Sequence, residues 1–211
     1  MQEEDKKRDG SQHPQKSTPI PCFLTLISNL LIISMLHTAL ATTSSTQDYE
    51  KYIQNACNST QYQELCYKSL SPYASTIKEN PQLLCKAALS ISLQSALDTS
   101  STISKLLKQK GHTSMEAQVI EVCDSNIKAS IDQLHESLDA MKLLSGPDKA
   151  IQLGNIKTWV SAAITGDTTC TDTIDEEGQE IGANIKNEIG NSVSNMDRMT
   201  NIALSLVSHR L

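Results

Sequence analysis

Asn155-Ile-Lys-Thr-Trp159-Val-Ser-Ala-Ala-Ile164-Thr-Gly166-Asp-Thr-Thr-Cys170-Thr-Asp172 holds the chain's only Trp, and around it the 211 residues organise. Ile156, Trp159, Val160, Ala163 and Ile164 recur at three and four residues, which puts them on one apolar stripe of a helix with Trp159 as its largest side chain. Gly166 is expected to stop that helix. Thr168 or Thr169 would then cap a new one, with Asp172 and Asp175 placing negative charge at its positive end and Cys170 in its first turn.

Working outward, the same periodicity predicts three more helices. Pro81 to Lys110 opens on Pro and carries Leu84, Ala88, Ile91, Leu93, Ala96, Ile103 and Leu107 on a broad face, ending at Gly111. Met115 to Ser145 carries Ile120, Cys123, Ile127, Ile131, Leu134, Leu138 and Met141, and Gly146-Pro147 stops it. The Trp159 helix is expected over Asp148 to Thr165. The fourth helix is expected from Thr171 to about Ser208, with Gly178, Gly182 and Gly190 inside it at a cost of about 1 kcal/mol each relative to Ala. Connections this short make neighbours antiparallel, so residues 81–211 read as an up-down-up-down four-helix bundle in an all-α fold.

All five tyrosines (Tyr49, Tyr52, Tyr62, Tyr67, Tyr73) fall ahead of the bundle, in residues 42–80, and mark a separate helical hairpin entered by a polar linker, Thr42 to Gln47. Helical spacing of Tyr49, Tyr52, Ile53 and Ala56 and of Tyr62, Leu65, Cys66 and Leu70 gives its two arms, and Asn58-Ser59-Thr60 turns between them. Asn58 also begins an N-glycosylation sequon, which requires the turn to face solvent. The tyrosine rings are read as packing the hairpin onto its neighbour, with a sugar-stacking platform as the alternative.

Residues 1–41 read as a secretory signal peptide: a polar leader, an apolar run from Ile20, and Ala39-Leu-Ala41 as the cleavage site. An uncleaved anchor is the alternative, disfavoured because Ser28, Asn29, Ser34 and His37 interrupt the run. The net charge is -6, and the first 41 residues contribute none of it, with four basic against four acidic side chains. An acidic mature chain disfavours nucleic acid or, once the signal is removed, an anionic membrane as partner.

Removal of Cys22 leaves Cys57, Cys66, Cys85, Cys123 and Cys170, an odd set that spacing alone allows to pair in many ways. No C-x-x-C or clustered His suggests a metal, so the cysteines are read as crosslinks, and no cofactor is implied. No H-E-x-x-H, G-x-S-x-G or phosphate loop is present either. Asp175-Glu176-Glu177 are adjacent on a helix and diverge by about 100° each, so they compensate the helix dipole and share no site. His112, His135 and His209 are scattered and read as surface residues. A crosslinked bundle without convergent chemistry is expected to act by presenting a surface.

Trp159-Val-Ser161-Ala162-Ala163-Ile-Thr165 followed by Thr169-Cys170-Thr-Asp172 resembles the Trp-x-Ser-Ala-Ala-x-Thr and Thr-Cys-x-Asp signature of the plant invertase and pectin methylesterase inhibitor family. The likeness continues at Asn58 to Ala74 and at Thr200 to Leu204, covering roughly residues 50–208. It departs at Ile127, where the family commonly has Tyr, and at Thr173-Ile174, where it has Gly-Phe. The resemblance implies a non-enzymatic inhibitor domain over 48–208, with bridges Cys57–Cys66 and Cys123–Cys170 and Cys85 unpaired. In the chain-entropy treatment such bridges stabilise by about 3 and about 4 kcal/mol. It implies a 1:1 complex in which the bundle covers the substrate cleft of a pectin methylesterase in the cell wall, with the outward residues Glu121, Asp124, Lys128, Asp132, His135 and Glu136 as candidate contacts. Acid invertase is the alternative target; the Pro-Lys-Phe motif of invertase inhibitors is absent, since Phe23 is the only Phe. A non-inhibitory extracellular binding protein, such as a lipid carrier, is a second alternative and would need a large internal cavity.

Overall fold

The computed structural model describes residues 46–178 and 180–211, so the signal-peptide reading lies outside the described residues. A first helix, α1 (46–57), leads through a turn at 58–62 to α2 (Gln63–Leu70). A 3-10 turn (Ser71–Tyr73) and the single-turn α3 (Ala74–Ile77) follow. Four helices of 28 residues complete the chain: α4 (Pro81–Lys108), α5 (Ser114–Met141), α6 (Lys149–Glu176) and α7 (Ala183–Arg210). At 1.5 Å per residue each is about 42 Å long.

The long helices close into a ring, α4 on α5, α5 on α6, α6 on α7 and α7 back on α4. Chain neighbours are therefore spatial neighbours, and the short links make the arrangement the up-down-up-down bundle that the periodicity implies. Local chemistry sets two starts. Asn80 caps α4 by accepting from the Leu83 N–H at 3.1 Å, with Pro81 in the first turn. Thr113 and Glu116 form a reciprocal capping box at α5, Thr113 N–H to Glu116 Oε2 at 2.8 Å and Glu116 N–H to Thr113 Oγ1 at 3.2 Å. Glu116 Oε1 also accepts from the Gly182 N–H at 3.0 Å, so one carboxylate ties the α6–α7 link to the start of α5. Those backbone donors, Thr113 first and then Gly182, hold the Glu116 carboxyl below its usual range.

The reading around Gly166 needs correction. Gly166 does not stop a helix, and Cys170 is not in a first turn: α6 runs through both to Glu176, and α7 begins at Ala183 instead of Thr171. Buried Ile156, Val160, Ala163, Asp167, Cys170 and Ile174 follow one another at four and three residues without a break, so core packing carries the helix across the glycine. Thr168 and Thr169 do not cap; their hydroxyls donate back to the carbonyls of Ile164 and Thr165 at 3.0 and 2.8 Å. Gly166 is where α5 comes close, since a Cβ there would lie 2.6 Å from Ser130 Oγ and 3.2 Å from the Asn126 carbonyl oxygen. Gly178 and Gly182, expected inside the fourth helix, lie outside both flanking helices in the α6–α7 link.

Smaller corrections follow from packing. α4 ends at Lys108 and α5 at Met141, short of the expected Lys110 and Ser145. Ser130 and Ser137 occupy buried positions on α5, while Ile131 and Leu138, chosen by spacing, only pack against the core edge. On α4, Leu106 is buried and Leu107 exposed. Trp159 is partly buried at the core margin and not at its centre. His112 is no free surface residue: its Nε2 lies 2.8 Å from the Leu106 carbonyl oxygen and joins the α4 end to the α4–α5 link.

The N-terminal hairpin shares the bundle's core. Ile53, Ala56, Leu70 and Ile77 are fully buried in the same apolar cluster as the long helices. Thr46 and Gln47, expected in the linker, are helical. At the bundle end, Ser205 Oγ donates to the Ser59 carbonyl at 2.9 Å and Arg210 Nη2 to the Asn55 carbonyl at 2.8 Å. Four of the tyrosines pack against the core, and Tyr73 stays 46% exposed.

Candidate functional site

Disulfides Cys57–Cys66 and Cys123–Cys170 are present, with α-carbons 5.7 and 4.7 Å apart. The first closes the α1–α2 hairpin and the second staples α5 to α6. Cys85 is a free thiol buried in α4, pushed by burial up to about 12. A thiol that stays protonated is a packing group and not a nucleophile. Ile127 and Ile174, where the chain departs from the family pattern, are both buried core residues.

The most perturbed acid is Asp167, which has no exposed surface. Burial pushes its carboxyl up to about 8, against a hydrogen bond with Ser130, and the Asp197 charge adds to the rise. Ser130 Oγ lies 3.1 Å from Asp167 Oδ1 and 2.9 Å from the Ala163 carbonyl oxygen, while Asp167 Oδ2 has no protein partner. The hydroxyl has one proton for two acceptors. Protonated Asp167 can donate to Ser130, which then donates to Ala163, and both links are satisfied. Sealed from solvent, this pair joins α5 to α6 and has no route to a substrate. Among the described residues, no three His, Cys, Asp or Glu side chains are grouped to hold a metal ion.

What remains is surface. Glu121, Lys128, Asp132, His135 and Glu136 are exposed along one side of α5, and Asp124 is partly covered there. The structure brings two of these six together: Lys128 Nζ meets Asp124 Oδ2 at 2.6 Å. The stripe continues to Asp139, whose carboxyl is held low first by a hydrogen bond from Lys142 and then by the Lys142 charge.

A second surface lies on α6, the Trp159 helix, for which the sequence reading names no contact residues. Ser161, Ala162, Thr165, Thr169 and Asp172 of the family signature are exposed, as is Thr168, whereas Ala163 of the same signature is buried. The hydroxyls of Thr158, Thr165, Thr168 and Thr169 each donate to the carbonyl four residues back, at 2.8 to 3.1 Å. The result is a low ridge of short side chains whose donors are already satisfied. Docking such a ridge fixes few rotamers, so it costs little side-chain entropy. Two large apolar side chains are exposed near the α5–α6 link: Leu143 within it, at 56%, and Ile151 in the first turn of α6, at 62%. The period-3.5 run from Ile156 to Ile174 was the available signal: it assigns the inward side of α6 and leaves these threonines outside.

The family model described as plant invertase/pectin methylesterase inhibitor matches residues 51–206, from α1 to the last turns of α7. The chain belongs to this family. Pectinesterase inhibitor 4 of Arabidopsis thaliana is 35% identical over 191 residues, covering 89% of this chain and 95% of that protein. The 21 kDa protein of Daucus carota is 34% identical over 189 residues, 88% of this chain and 96% of the relative. Among solved structures, a mutant form of a pectin methylesterase inhibitor from Arabidopsis superposes with a TM-score of 0.58 at 19% identity, covering 74% of this chain and 94% of that one. The inhibitor-family match contains both disulfides, the α5 stripe and the α6 ridge.

Proposed function

We infer that this chain is a secreted protein inhibitor of pectin methylesterase, forming a 1:1 complex in which the α5 and α6 surfaces cover the enzyme's substrate cleft. The observation that carries the reading is an outward surface on the disulfide-stapled α5–α6 pair, in a chain alignable nearly end to end with a protein named pectinesterase inhibitor. The interior offers a binding protein little to use, since the apolar stripes fill the bundle and its perturbed acid is sealed. Oxidised cysteines and the apolar leader support an extracellular site of action in the cell wall. Residues 48–208 act as one inhibitor domain in this reading.

Acid invertase is the second reading, supported by the family's joint description. The two are separated by titrating the oxidised protein against panels of plant pectin methylesterases and acid invertases at mildly acidic and neutral pH. Loss of esterase activity in proportion to added protein is expected. Loss of invertase activity with the esterases untouched would replace the target.

A further inference from the structure

A groove of about 620 Å³ runs between the N-terminal hairpin and the bundle, on α4 and α7 and away from the α5–α6 surface. That size falls within the range of small-molecule sites. Its α4 wall extends from Leu83 to Asp98, about 22 Å of helix. Leu65, Ile91 and Met199 supply apolar lining, and Tyr73 and Leu83 border it while 46% and 39% exposed. Leaving two large apolar side chains beside an open groove forgoes burial that an apolar occupant would supply.

The polar lining is largely occupied with itself. Ser69 Oγ donates to Met199 Sδ at 3.7 Å, Asn195 Nδ2 to Ser95 Oγ at 3.1 Å, and Gln94 Nε2 to Asp98 Oδ1 at 3.0 Å. Of the two charged residues lining the groove, Asp98 accepts from the neutral Gln94 amide and exposed Lys86 makes no ion pair among the described residues; twelve residues of α4, about 18 Å, separate the two charges. With the Lys86 ammonium at one end of an apolar channel and the Asp98 carboxylate at the far end, the Lys86 end suits a ligand with an apolar body and one negative end. We propose that this groove binds a monocarboxylic acid with a linear apolar body, a medium-chain fatty acid in chemical class, with its carboxylate on Lys86 and its chain over Leu65, Ile91 and Met199. The site is lined by the hairpin, α4 and α7 and lies at the surface between them, not in the bundle interior. It is independent of the inhibitory reading.

The test uses the full oxidised protein and dansyl-undecanoate as fluorescent probe, with laurate and dodecanol as competitors. Saturable enhancement with one site per chain, displaced by laurate at least tenfold better than by dodecanol, is expected. Lys86→Met, which keeps the apolar stem, should weaken the probe about tenfold, the loss of roughly one charge-assisted contact. Ser90→Trp, an exposed groove position, should abolish binding while esterase inhibition and the melting temperature of both variants hold. If Ser90→Trp does not fold, Lys86→Met alone decides. Absence of saturable binding, equal displacement by the alcohol, an unchanged Lys86→Met affinity, or displacement only by a carboxylated oligosaccharide would each overturn the assignment.

Discussion

Asp167 shows at the residue scale how much one buried carboxyl can set. Ordinary carboxylates titrate near 4, whereas burial pushes this one up to about 8, so the folded state takes up a proton that the unfolded chain releases. Stability from this group is therefore complete below about pH 4 and is lost as pH rises towards 8. Glu116 and Asp139 are shifted in the opposite direction, and their effect falls at the acid end, outside that window. The melting temperature should drop between pH 5 and pH 8, with a few kcal/mol of stability lost. Asp167→Asn should remove most of this drop, because an amide can donate to Ser130 at every pH, and the Asp197 carboxyl, also raised by burial, keeps the remainder. A wild-type curve already flat across that range would contradict the protonated state. None of this was legible in the sequence, where Asp167 reads as one more polar residue after a glycine. Its position in the core heptad shows only once the helix is known to continue.

For the elements, positions of the four long helices were legible because Ile, Leu, Val and Met recur at three and four residues over seven or more turns. Their ends were not, because glycine carries two opposite meanings. Gly111 turns the chain inside the α4–α5 link, with φ of +95°, whereas Gly166 lets α5 and α6 approach within a helix. Thr-rich stretches mislead similarly, since hydroxyls that cap in one context bond back to the helix in another. The contrast is measurable. Gly190→Ala meets nothing within 4 Å and should stabilise α7 by about 0.5–1 kcal/mol, whereas Gly166→Ala should destabilise by about 1–3 kcal/mol despite alanine's higher propensity. Urea unfolding of both variants decides it, and a stabilised Gly166→Ala would mean that the interhelical approach is loose.

Across the whole molecule, two crosslinks secure different parts of one core. Replacing Cys123 and Cys170 together with Ser should cost about 4 kcal/mol, and replacing Cys57 and Cys66 about 3 kcal/mol, by the loop each bridge closes. Equal losses in equilibrium unfolding would show that local packing outweighs loop length. The family pattern implies both pairings, whereas composition and spacing alone leave them open. The surface was the least legible part: exposed threonines and charges fill any solvent face, and only the packing of α5 on α6 shows which of them stand on the stapled pair.

The central claim, inhibition through that pair, is tested most directly by the inhibition constant against one sensitive pectin methylesterase for wild type, Thr165→Arg, Asp132→Lys and Asn191→Arg. Thr165 and Asp132 are exposed on α6 and α5, and Asn191 is exposed on α7. The inhibition constant should rise about 100-fold for Thr165→Arg, equivalent to about 3 kcal/mol of lost docking, rise less for Asp132→Lys, and stay unchanged for Asn191→Arg, at unchanged melting temperatures. Full inhibition by Thr165→Arg and Asp132→Lys would contradict it.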